Sequence, residues 1–176
     1  TNCQVLDTRK TTPGIRAFEK WAVRIGGGVN HRMGLHDMIL IKDNHVDYAG
    51  SMHRALEGVA QYLELKSLNI PVVVEVRDAN EAMEAMEAQG LWSKPAGTPL
   101  IDRLLLDNHS PEETARAVSD WGAKIPLEAS GGIHPGNARA YAEAGVDFIS
   151  MGWLTHSVPG LDFSLKSTDQ IYSVHE

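Results

Sequence analysis

Short β-branched runs alternate along the chain with segments of helical period, and almost every run ends in a cluster of polar residues. Gln4–Asp7, Met38–Ile41, Pro71–Val76, Leu104–Leu106, Ile125–Glu128 and Val146–Met151 read as strands, with Leu161–Leu165 as one last strand. Between them, Ile15, Phe18, Trp21, Ala22 and Ile25 recur at helical spacing, as do Met52, Leu56, Val59, Ala60 and Leu63. Ala79–Ala88 is rich in helix formers. Ser110-Pro111-Glu112-Glu113 combines an N-cap, a proline at the first helical position and a glutamate at the third. Asn137–Ala144 reads as a helix stopped by Gly145. Such alternation predicts parallel strands joined by right-handed crossovers. A doubly wound open sheet satisfies the pattern as well. In a barrel, however, the polar strand ends converge on one mouth, where barrels do their chemistry. The expected fold is therefore α/β: one incomplete, roughly seven-stranded parallel β/α barrel (TIM-like) over residues 1–176. Gln89–Asp102, punctuated by Gly90, Pro95, Gly97 and Pro99, breaks the rhythm and reads as an insertion within that domain.

Composition narrows the function. A chain of 176 residues with 43% apolar side chains can bury one sizeable core. No apolar run approaches the roughly 18 residues of a membrane span, and no N-terminal stretch reads as a signal peptide. The single cysteine, Cys3, excludes a disulfide framework and a thiolate zinc cluster, and favours a reducing, cytoplasmic setting. It reads as a small packed residue. A net charge of −7 argues against general nucleic-acid binding. That charge is uneven: residues 1–42 hold seven basic and three acidic side chains, whereas residues 43–176 hold nine and twenty. Arg16, Lys20 and Arg24, four residues apart, read as solvated charges on a helix face. Arg9, Lys10, Arg32 and Lys42 fall in or beside loops and suggest a local anion site.

Three constellations could carry chemistry. Thr8-Arg9-Lys10-Thr11-Thr12-Pro13-Gly14 links a strand to a helix, and its hydroxyls and cations suit phosphate or carboxylate, although the P-loop spacing is absent. If one mouth gathers Arg9, Lys10, His31, Arg32 and Lys42, the implied ligand bears several negative charges. Glu75 and Asp107, each ending a strand, read as a Mg²⁺ site, partly through water, or as ion-pair partners for Lys10 or Lys42. A glycosidase acid/base pair fits the cations poorly. Ser130-Gly131-Gly132 and Gly152 follow late strands, where barrels often dock a phosphate on backbone N–H groups. His45, His109, His134 and His156 lack metalloenzyme spacing, so zinc is not indicated.

The ordered motifs Thr8–Gly14, Gly26-Gly27-Gly28-Val29-Asn30-His31-Arg32, Ile41-Lys42-Asp43-Asn44-His45, Glu75-Val76, Leu106-Asp107-Asn108, Glu128–Ile133, Gly152–Ser157 and Leu161–Lys166 together resemble quinolinate phosphoribosyltransferase. The resemblance covers nearly the whole chain. It implies synthesis of nicotinate mononucleotide, pyrophosphate and CO₂ from quinolinate and phosphoribosyl pyrophosphate, with Mg²⁺, as a step of NAD biosynthesis. It implies that Arg9, Lys10, His31, Arg32 and Lys42 bind the substrates, with Lys10, Lys42, Glu75 and Asp107 nearest the chemistry. Ser130, Gly131, Gly132, Gly152 and His156 are implied at the 5′-phosphate. It also implies a homodimer or higher assembly whose sites are shared between subunits. The family's N-terminal domain, which closes the partner's site and supplies a substrate-binding arginine, is expected to be absent from this chain, which begins at Thr1. Trp153, where a small residue is usual, and Val73, where a glutamate is common, are expected to alter the pocket's rim. Two other readings stay open: a related barrel acting on another anionic substrate, and a truncated, non-catalytic module that binds phosphate or oligomerises.

Overall fold

A computed structural model describes residues 1–165. Six strands form one wholly parallel sheet: β1 (Gln4–Leu6), β2 (Ile39–Ile41), β3 (Val72–Val76), β4 (Arg103–Asp107), β5 (Leu127–Ser130) and β6 (Phe148–Ser150). Their spatial order is β1-β6-β5-β4-β3-β2. Seven helices accompany them: α1 (Arg16–Ile25), α2 (Asp43–Ala49), α3 (Met52–Lys66), α4 (Ala79–Gln89), α5 (Pro111–Trp121), α6 (Ala138–Ala144) and α7 (Trp153–His156). This is the incomplete parallel β/α barrel, left open between β1 and β2. The seam is partly filled by Val29, whose N–H donates to the Val5 carbonyl at 2.8 Å and whose carbonyl accepts from the Asp7 N–H at 3.2 Å.

The strands obey a period of two. Val72, Val74, Val76, Leu104, Leu106, Leu127, Ala129 and Ile149 point outward into one core with Leu56, Leu63, Ala82, Ala85 and Ala117 of the helices. The alternate residues turn inward, and in register they read Glu75 beside Leu105 and Leu105 beside Glu128, then Asp107 beside Ser130. The outward face stabilises the molecule; the inward face is free to be polar. Helix starts follow their caps: Ser51, Asp78 and Ser110 accept the orphan amide hydrogens of α3, α4 and α5.

Several expectations need correction. The strand expected at 161–165 is irregular, with Leu161, Phe163 and Leu165 exposed, so the described residues hold six strands rather than seven. Lys166 lies outside the described residues. β5 begins two residues later than expected, after Pro126, which has no N–H for a ladder, while the Leu127 N–H is taken by the Asp147 carboxylate at 2.8 Å. The short helices α2 and α7 were not anticipated. In α1 the apolar stripe and the basic residue exchange roles: Phe18, Trp21 and Ile25 are exposed and Lys20 is buried. Val73 lies buried within β3, away from any rim. The 89–102 insertion is tied down at its end: Leu100 and Ile101 are buried, and buried Lys94 pairs with Asp102 at 2.5 Å.

Candidate active site

The sites singled out in the sequence meet at one place. A cavity of about 660 Å³ opens at the C-terminal ends of the strands, and it is lined by Arg9, Lys10, His31, Arg32, Lys42, Glu75, Asp107, Ser130, Gly131, Gly132, Gly152 and His156. Trp153 also lines it, as expected of a residue altering its wall, together with Thr8, Asn108, Glu128, His134 and Ser150. Each polar group arrives because a parallel strand releases its chain at the same end: β1 leads into Arg9 and Lys10, β2 into Lys42, β3 ends at Glu75-Val76, and β4 ends at Asp107.

The cations are only partly neutralised. Among the described residues, Arg9, Lys10 and Arg32 have no carboxylate within ion-pair distance. The Arg9 Nε is buried without a hydrogen-bond acceptor. Burial and the neighbouring Arg9 guanidinium lower the Arg32 pKa, against a smaller opposing pull from Asp37. Three uncompensated positive charges in one concavity constitute a site for a multiply charged anion. Lys42 ion-pairs with Glu75, one of the alternatives the sequence left open.

His31 stands between the two walls. Its Nδ1 accepts the Arg32 N–H at 2.8 Å, and its Nε2 lies 3.4 Å from a Glu128 oxygen.

On the acidic wall, Asp107 Oδ2 accepts from the Asn108 amide at 2.7 Å, and the Glu75 carboxylate is buried against Lys42. No cluster of three or more metal-ligating side chains occurs among the described residues. Two carboxylates facing an anion pocket fit Mg²⁺, which keeps several waters and takes further oxygens from substrate phosphates. Across the mouth, the N–H groups of Gly131, Gly132 and Gly152 donate to no acceptor among the described residues. Gly131 has φ +94°, and a Cβ there would collide with the Asn108 side chain. A Cβ on Gly152 would lie 2.9 Å from the His156 ring and 3.0 Å from Lys10 Cδ, so glycine lets both bases fold over the loop.

Other important residues were missed by the sequence reading. Asp7 and Lys20 form a buried ion pair behind His31. Glu128, fully buried, lies 2.8 Å from Arg103 Nε, and neither of its oxygens has a well-aligned hydrogen bond. Arg103 in turn lies 4.4 Å over the Phe148 ring. Burial raises the Glu128 pKa, but His31 and Arg103 outweigh it and hold the carboxyl below the ordinary glutamate range. The signal available for Glu128 was period-two alternation, which sends it to the same face as Ser130. Thr155 donates to the Lys10 carbonyl at 2.6 Å, tying the first loop to the last helix; nothing local to Thr155 announces that contact.

The same arrangement has relatives. The family model for the quinolinate phosphoribosyl transferase C-terminal domain matches residues 1–166. A nicotinate-nucleotide pyrophosphorylase (carboxylating) from Mycobacterium leprae is 45% identical over 168 residues, covering 94% of this chain and 54% of that protein. A mitochondrial quinolinate phosphoribosyltransferase (decarboxylating) from Nicotiana glauca is 43% identical over 171 residues, covering 92% of this chain and 47% of that one. The solved nicotinate-nucleotide pyrophosphorylase of Francisella tularensis superimposes with a TM-score of 0.75 at 42% identity, over 88% of this chain and 50% of that structure. The chain thus spans about half the length of the curated relatives it matches. With its barrel, its motif order and its sequence in agreement, the chain belongs to the quinolinate phosphoribosyltransferase family, in the portion that forms the C-terminal domain.

Proposed function

We propose that this domain supports phosphoribosyl transfer from phosphoribosyl pyrophosphate to quinolinate, with decarboxylation to nicotinate mononucleotide, pyrophosphate and CO₂. The observation that carries the reading is the convergence of Arg9, Lys10, Arg32 and Lys42 on one cavity, opposite Glu75 and Asp107 and beside the Ser130-Gly131-Gly132 loop. Quinolinate brings two carboxylates and the co-substrate brings a phosphate and a pyrophosphate, which matches uncompensated cations on one wall and free amide hydrogens on another. The role of each residue follows from its chemistry. Arg9, Lys10, His31, Arg32 and Lys42 hold the ring dianion and the leaving pyrophosphate. Ser130, Gly131, Gly132, Gly152 and His156 receive the 5′-phosphate.

Breaking the ribose C1–pyrophosphate bond builds positive charge on the sugar and negative charge on the leaving group. The buried carboxylate of Glu75 stabilises the former and the cations stabilise the latter. For a carboxylate to face the sugar, Lys42 must turn from Glu75 toward an incoming anion, an exchange of partners that its half-exposed side chain permits. Mg²⁺, held by Asp107 and Glu75 partly through water, would supply further neutralisation of the pyrophosphate. The pyridine nitrogen is itself the nucleophile and needs no base. Once it is alkylated, the electron pair left at C2 by CO₂ loss sits beside a positive nitrogen, so the pocket need only orient the dianion. Association into a homodimer belongs to the same reading and is supported by the exposed Phe18, Trp21 and Ile25 of α1; the reducing cytoplasmic setting rests on the single cysteine.

Calorimetry with quinolinate and with nicotinate tests the assignment. Quinolinate should bind the tighter by roughly 10- to 100-fold, the equivalent of one charge-assisted hydrogen-bonded carboxylate at about 1.5–3 kcal/mol. Lys10→Ala should shrink that ratio. Folded protein, supplied with the family's N-terminal domain, that binds both ligands equally, or neither, refutes the substrate.

A further inference from the structure

We propose that Asp7 and Lys20, neither of which lines the cavity, are positioning residues that set the ligand-binding segment Asn30-His31-Arg32; the inference rests on the function proposed above. Both side chains are almost wholly buried. A buried ion pair is a poor stabilising device compared with apolar side chains of the same volume, so its retention asks for another reason. The hydrogen bonds supply one, because nearly all of them end on a single short segment. Asp7 Oδ1 accepts from Lys20 Nζ and from the His31 N–H at 2.8 Å. Asp7 Oδ2 accepts from the Asn30 amide at 2.5 Å, and that amide also donates to the Lys20 carbonyl at 2.8 Å. Lys20 Nζ donates to the His31 carbonyl at 3.0 Å.

The pair therefore grips both the N–H and the C=O of His31. The segment needs such a hold: it follows Gly26-Gly27-Gly28, with Gly27 at φ +89°, a stretch with little stiffness of its own. What is held carries the site. The His31 ring receives the Arg32 N–H, and Arg32 Nη1 reaches the Met38 carbonyl at 3.3 Å, so a shift of the His31 backbone displaces both cavity side chains together. α1 and β1 thus transmit the rigidity of the barrel to an otherwise pliant loop.

Lys20→Met alone strands a buried carboxylate, so it reports lost stability rather than positioning. Two charge-free double variants avoid this. Asp7→Leu with Lys20→Met removes the acceptor for the His31 N–H, whereas Asp7→Asn with Lys20→Met keeps an amide oxygen there. Both should stay folded, since neither leaves a lone buried charge. The leucine double should lose about tenfold or more in quinolinate affinity, of the order expected for a small displacement of binding groups. Its phosphoribosyl pyrophosphate affinity should fall by less, because the Gly131, Gly132 and Gly152 amides on the other wall are not carried by this segment, and its His31 amide hydrogen should exchange faster. The asparagine double should recover both quinolinate binding and protection. Wild-type quinolinate affinity and wild-type His31 protection in the leucine double would overturn the proposal, as would equal losses for both ligands. Wild-type protein that binds no quinolinate would instead defeat the proposed substrate, while amide exchange in the same variants still decides the positioning role.

Discussion

At the scale of single residues, the inward face of the strands holds charge where a closed core would hold aliphatic side chains, and Glu128 shows the consequence. Its folded-state carboxyl is held below the ordinary glutamate range despite burial, because His31 and Arg103 face it. Between the folded and unfolded values the unfolded chain binds more protons, so stability rises with pH there. The contribution is complete above the ordinary glutamate value of about 4.3 and is lost as pH falls through the lower, folded value. Urea titrations from pH 7 down to 3 should show a loss of stability that Glu128→Gln makes shallower; an unchanged slope would remove Glu128 from this account. Gly131 tests the opposite wall. Gly131→Ala places a Cβ in the left-handed region and against Asn108, costing about 1–2 kcal/mol for the backbone alone. Because Asn108 also donates to Asp107, phosphoribosyl pyrophosphate should bind more weakly as well, a joint loss readable by thermal melts and calorimetry.

At the scale of elements, α1 behaves contrary to its periodic pattern. The stripe Phe18, Trp21 and Ile25 has helical spacing yet faces outward, and Lys20, read as a solvated charge, is buried. Periodicity identified the helix but not which face meets the barrel, because Asp7 and the His31 peptide offer Lys20 the polar partners that make its burial tolerable. In the unassociated monomer Phe18→Ala should consequently change unfolding free energy by under about 0.5 kcal/mol, as exposed positions do. Lys20→Met should cost about 3–5 kcal/mol, since it strands the buried Asp7. Denaturant melts of the two variants check the inversion. α5 is the contrasting element, legible from its first four residues. Ser110 accepts from the Glu113 N–H at 3.2 Å and Glu113 accepts from the Ser110 N–H at 2.8 Å, the reciprocal cap that the sequence announced. Ser110→Ala should cost about 1 kcal/mol in the same melts.

At the scale of the whole molecule, binding is governed by unneutralised charge gathered at one end of an acidic protein. Overall the chain bears −7, yet its cavity presents Arg9, Lys10 and Arg32 without carboxylate partners among the described residues. Quinolinate affinity should therefore fall as salt rises from 0.1 to 1 M, where the screening length shrinks from about 10 to about 3 Å. Affinity independent of salt would mean that apolar contacts with the ring dominate instead. The open seam between β1 and β2 also has a global role: Val29 patches it from the chain that leads directly into Asn30-His31-Arg32. The barrel's incompleteness and its binding loop are one feature.

The sequence by itself determined the rhythm of strands and helices, the α5 cap and the polar strand ends, because period, propensity and capping act over a few neighbouring residues. It also supplied the cations that line the cavity and its carboxylates other than Glu128, since parallel strands deliver their ends to one side. Tertiary structure alone decided the partners. That Lys42 meets Glu75, that Lys20 is buried on Asp7, that His31 sits between Arg32 and Glu128, and that 161–165 forms no strand all depend on contacts between distant segments. The state of a charge is set by the dielectric and the neighbours the fold places around it, and these become defined only when the chain has closed on itself.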